Sequence, residues 1–70
     1  MRDVSKIPLL NTEGEITPQG IHLCRAYGRA LEMKNEMMRT MLISVVENQY
    51  KQPSFVAHFR EIDNDPTLYL

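Results

Sequence analysis

Between Gly28 and Pro53 the chain has neither glycine nor proline, and this unbroken stretch limits the folds open to it more than any other feature. Upstream, Thr17-Pro18 is a strong helix start. Threonine is a good N-cap, and proline suits the first helical position, where its missing N–H is not needed. From there to Tyr50 nothing forces a stop, although Gly20 and Gly28 each cost about 1 kcal/mol relative to alanine. A straight helix from Pro18 to Tyr50 would be roughly 50 Å long. A compact monomer of 70 residues has a radius of gyration of about 11 Å and is only about 30 Å across. Either the helix breaks, or the chain is not a compact monomer. Lys34-Asn35 is the best break point, because asparagine can end one helix or cap the next. With no glycine or proline there, the sequence predicts the continuous helix.

The remaining elements are arranged around it. Residues 1–16 read as an extended N-terminal arm with hairpin character. Lys6 to Leu10 could form a short strand, which Pro8 would confine to a sheet edge. Asn11-Thr12-Glu13-Gly14 is turn chemistry, and Glu15-Ile16 is a return arm. The long helix occupies 17–52, a short helix 53–62 and a tail 63–70, together one domain. Phe55, Val56, Phe59 and Ile62 give the short helix an apolar side. The fold class expected is therefore mainly α: one long amphipathic helix plus a short C-terminal helix, assembled as a helical homo-oligomer.

At about 100° per residue, Arg25, Arg29, Glu32, Glu36, Arg39 and Glu47 fall on one side of the long helix. Mixed signs at i,i+3 are the mark of a solvated face. The other side carries Leu23, Cys24, Tyr27, Ala30, Leu31, Met37, Met38, Met41, Leu42 and Val45, a stripe wider than a strict coiled-coil seam. Lys34 sits in the middle of it, either snorkelling outward or meeting an acid of another helix. Met33, Met37 and Met41 recur every four residues. Ordinary core filling explains such a row, and so does a surface that adapts to a partner. Gly20, Cys24 and Gly28 form a small-residue ridge, as do Ala26 and Ala30. Chance accounts for such ridges in a helix rich in small residues, and a tight helix–helix crossing is the alternative.

Several functions find little support. Eight Lys plus Arg against nine Asp plus Glu leave no basic excess for non-specific nucleic-acid binding. No apolar run is long enough to span a membrane. The single cysteine allows no intrachain disulfide, and Met1-Arg2-Asp3-Val4 does not resemble a secretion signal, so a cytoplasmic location is expected. His22 and Cys24 lie on different sides of the helix, and His58 is remote from both. Neither a metal site nor a nucleophile pair is expected, and no cofactor, catalytic residue or enzyme activity.

The sequence thus predicts a small helical protein–protein interaction module, an adaptor or regulator that forms a homodimer and binds another protein. Its expected interface is Leu23, Tyr27, Leu31, Lys34, Met37, Met38, Met41, Leu42 and Val45. The argument is one of size: a chain this short buries only about 60% of its unfolded surface, and pairing supplies the missing core. The alternative is a small DNA-binding regulator with residues 18–50 split into two helices. The interleaving of Arg with Glu argues against it.

Overall fold

Thr17 closes the arm and opens the first helix. Its side-chain oxygen accepts from the Gly20 N–H at 3.2 Å, while its hydroxyl donates to the Pro8 carbonyl at 2.7 Å. Helix α1 follows over Pro18–Glu32. Helix α2 covers Glu36–Ser44 and continues into a wider π turn over Val45–Gln49. A 3-10 turn over Pro53–Phe55 leads into helix α3, Val56–Asn64. The structure, a computed structural model, describes residues 4–70. The part of the expected arm over residues 1–3 lies outside the described residues.

The continuous helix over 17–52 does not form. The chain folds instead as a compact bundle of three helices of 12–15 residues each, 30 × 28 × 16 Å in extent. The break falls at Lys34-Asn35 and needs no glycine. Lys34 takes a left-handed conformation, φ 55°. Its N–H donates to the Leu31 carbonyl at 3.1 Å, and the Asn35 N–H reaches back to Ala30 at 2.8 Å. These two bonds satisfy carbonyls that the end of α1 leaves free, an arrangement usually built around glycine. The Asn35 side chain then accepts from the Met38 N–H at 3.1 Å and caps α2. Glu36, in the first turn, suits the positive end of the helix dipole. The left-handed residue costs about 1–2 kcal/mol. In return α2 folds back on α1, and Leu42 and Val46 join Leu23 and Tyr27 in one core.

Tyr27 ties the three helices together. Its ring stacks on Phe59 of α3, with centroids 4.4 Å apart, and Phe55 meets Phe59 edge-on at 5.7 Å. The Tyr27 hydroxyl donates to Asp63 Oδ1 at 2.8 Å. Arg39 of α2 lies over the Tyr27 ring and reaches the same carboxylate at 3.3 Å.

The arm and the tail complete the core. Leu10 and Ile16 form a single antiparallel bridge. The Asn11 side chain accepts from the N–H groups of Glu13 and Glu15, and Gly14 turns the chain at φ 82°. Leu9 is fully buried. Gln52, just before the 3-10 turn, holds the arm, accepting from the Leu9 N–H at 3.0 Å and donating to the Ile7 carbonyl at 2.7 Å. The small-residue ridge of α1 takes the arm and the tail at closest approach, with Phe55 and Ile62 of the last helical segment next to it. A Cβ at Gly20 would sit 2.6 Å from the Leu9 carbonyl oxygen, and one at Gly28 would sit 2.6 Å from that of Pro66. Arg25 Nε, donating to the Tyr69 carbonyl at 2.9 Å, secures the tail.

Candidate docking surface

The break at Lys34 divides the apolar stripe by residue type. Leu23, Tyr27 and Leu42 are buried in the chain's own core, and Leu31 and Val45 pack partly buried against it. Lys34, Met37, Met38 and Met41 face outward. Of the nine residues expected at an interface, Leu23, Tyr27, Leu31, Leu42 and Val45 are therefore engaged within the bundle. Lys34 is an exposed corner residue at φ 55°. The charged side of the stretch is mostly solvated, as its mixed signs imply. Arg39, half-buried against Tyr27 and Asp63, is the departure.

All four methionines among the described residues lie on this outward face. Met33 is 76% exposed, Met37 81%, Met41 50% and Met38 36%. Methionine contributes nothing to the buried core, which is built of Leu, Val, Ile, Phe, Tyr, Ala and Cys. Met33 and Met38 line a groove of about 240 Å³ with Ala26, Ala30, Arg29 and Asn35. Its depth follows from the sequence. Alanine at 26 and 30 leaves room on the α1 surface, and the Asn35 cap starts α2 beside it. The alanine pair was visible in the sequence as a second small ridge. Its pairing with Met33 and Met38 depends on the break, which periodicity concealed.

The charged neighbours have both signs. Arg29, Lys34, Glu32 and Glu36 are all exposed around the corner. A second depression of about 260 Å³ lies between the π turn and the start of α3. It is lined by Glu47, Ser54 and Arg60 as well as Pro53, Val56 and Ala57, and so offers less apolar surface.

The residues weighed for chemistry are dispersed. Cys24 is fully buried, and burial, with a smaller push from the Glu61 charge, moves its thiol from the usual 9.0 to about 12. A thiol so held is protonated and a poor nucleophile. His22 is exposed on α1, whereas His58 is half-buried beside the Phe55 ring. Among the described residues no group of three or more His, Cys, Asp or Glu could hold a metal ion. No helix among them is long and apolar enough to cross a membrane. Comparison with known proteins finds no matching family model, no matching curated relative and no matching solved structure.

Proposed function

We propose that the chain is a small protein–protein interaction module, an adaptor or regulator, which pairs with a second copy of itself through the methionine face. The exposure of four methionines, two of them lining one groove, carries this reading. Flexible, polarisable thioethers suit a surface that remoulds itself to a partner. A second copy fits for two reasons. First, Met33 and Met38 line the groove while Met37 and Met41 stand exposed on the same helix as Met38, so two molecules related by a two-fold axis can exchange side chains into each other's grooves. Second, a border carrying both signs is self-complementary, since an Arg29 or Lys34 of one molecule can meet a Glu32 or Glu36 of the other. Partly exposed methionines present on the order of a few hundred Å². A standard stable interface uses about 800 Å² per partner, so the pair is weak and readily reversible. Such a pair can also yield its surface to another protein. The buried, protonated Cys24 suits a reducing compartment such as the cytoplasm.

Sedimentation equilibrium tests this. The wild-type mass should climb from 8.2 kDa toward twice that value with concentration, whereas the Met37→Lys/Met41→Lys variant should stay monomeric with an unchanged melt. A wild-type mass that stays monomeric at the highest attainable concentration overturns the reading.

The helix break lends one observation to the DNA-binding alternative, which needs residues 18–50 split in two. The arginines do not converge, however: Arg25 is engaged with the tail and Arg39 with Asp63. Salt-sensitive binding to generic duplex would favour that alternative; no binding at low salt would remove it.

A further inference from the structure

We infer that the methionine face is a site of reversible sulfur oxidation by hydroperoxides, which releases the paired module without unfolding it. This rests on the pairing proposed above and adds its regulation. The susceptible sulfurs are segregated. Met33, Met37 and Met41 are at least half exposed, and none of the four described methionines supports the core. The other sulfur among the described residues, Cys24, is wholly buried between α1 and its neighbours, and buried thiols are inert. An oxidant therefore meets thioethers at the docking surface before anything the bundle depends on.

The chemistry is a two-electron oxygen transfer. A thioether lone pair attacks the terminal oxygen of the hydroperoxide. An S–O bond forms and the O–O bond breaks. The transferred oxygen gives its proton to the departing hydroxide or alkoxide, which leaves as water or an alcohol. Sulfur is oxidised and the peroxide reduced. The product replaces a flexible apolar group with a polar, chiral sulfoxide, which disrupts methionine-rich contacts. The sulfoxide gives up its hydrogen bonds to water when it is buried against the apolar part of a partner's groove, Ala26, Ala30, Met33 and Met38. Pairing also covers the sulfurs, so the oxidant acts on the free molecule and dilution speeds the reaction.

The experiment uses the full chain and hydrogen peroxide, with peptide-resolved mass spectrometry, far-UV circular dichroism and sedimentation equilibrium. Met33, Met37 and Met41 should gain oxygen before Met38, with Cys24 unmodified. Helical signal should be retained, and the dissociation constant of the pair should rise by an order of magnitude or more. Methionine sulfoxide reductases, one for each sulfoxide epimer, should restore pairing. Oxidation should be slower in concentrated than in dilute protein. A variant with leucine at all four positions, a volume-conserving change, should pair with or without peroxide. Unmodified protein that fails to pair defeats the docking reading and this inference together. Unmodified protein that pairs, but pairs equally well after full oxidation of Met33, Met37 and Met41, defeats this inference alone. Loss of helical signal on oxidation also overturns it.

Discussion

Replacing Lys34 with glycine should stabilise the protein, and the sign of the effect distinguishes a bundle from a long helix. Lys34 is exposed, at φ 55°, in the corner between α1 and α2. A side chain in that conformation costs about 1–2 kcal/mol through the clash of Cβ with the following carbonyl oxygen. Glycine removes the clash but loses about 0.5–1 kcal/mol through its greater freedom in the unfolded chain. The net gain is about 0.5–1 kcal/mol. At about 4–8 °C per kcal/mol for a domain of this size, the midpoint should rise by roughly 2–8 °C. Inside a continuous helix the same glycine would cost about 1 kcal/mol. Lys34→Ala serves as the control. It keeps the Cβ, so it should leave a bundle nearly unchanged, whereas a continuous helix would gain slightly. Urea unfolding followed by far-UV circular dichroism measures all three proteins. A Lys34→Gly variant less stable than wild type would refute the left-handed stop and, with it, the placement of the methionine face.

Asn35→Ala should cost about 1 kcal/mol, the worth of an N-cap, because it removes the acceptor for the Met38 N–H; an unchanged urea midpoint would rule the cap out. Gly28→Ala should cost about 1–3 kcal/mol by overpacking, since the new Cβ meets the Pro66 carbonyl oxygen. Truncation before Pro66 should abolish that cost, and a cost that persists in the truncated chain would show that the tail does not lie there. Alkaline pH should destabilise the fold through Cys24. The unfolded thiol ionises from about pH 9, whereas the folded one, held back first by burial and then by the Glu61 charge, does so near 12. Its contribution is complete below pH 9 and is lost toward pH 12 at about 1.4 kcal/mol per unit. Cys24→Ala should flatten the slope of urea stability against pH in that window, with the raised Tyr27 and Tyr69 hydroxyls contributing to what remains. An equal slope in the two proteins would place the thiol outside the core.

The sequence made the ends of the bundle legible because they carry their own chemistry. Thr17-Pro18 marks the start of α1, Asn11 to Gly14 the turn of the arm, and Pro53 the end of the middle segment. Phe55, Phe59 and Ile62, spaced for one face of a helix, are all buried. The middle is not legible because the usual signs of a stop are absent. Lysine stands at the left-handed position, where the local preference is for glycine, and only tertiary packing overrides that preference. Comparing lengths exposed the conflict: a helix of roughly 50 Å against a compact 70-residue chain. It also identified Lys34-Asn35 as the place to resolve it. Asn35, not a glycine, is the residue that marks the stop.

The break at Lys34 changes the meaning of the stripe more than its membership. On a continuous helix, Leu23, Tyr27 and Leu42 would need a partner to cover them, and the methionines would be part of the same demand. Once α2 turns back, those three are covered by the chain itself, and the pressure to oligomerise for want of a core disappears. What remains exposed is not a random remainder of the stripe. Rigid or branched side chains have gone inward, and the unbranched thioethers at 33, 37, 38 and 41 stay outside. A core gains from residues with few rotamers, because it has one shape to fill. A surface that is empty in one state and filled in another gains from residues that can repack. The division of residue types is therefore an argument for docking independent of the size argument it replaces. It also changes the expected strength. A partner needed for folding would be bound permanently, whereas a partner received on a flexible methionine face, by a bundle that already has its core, can leave without unfolding the chain.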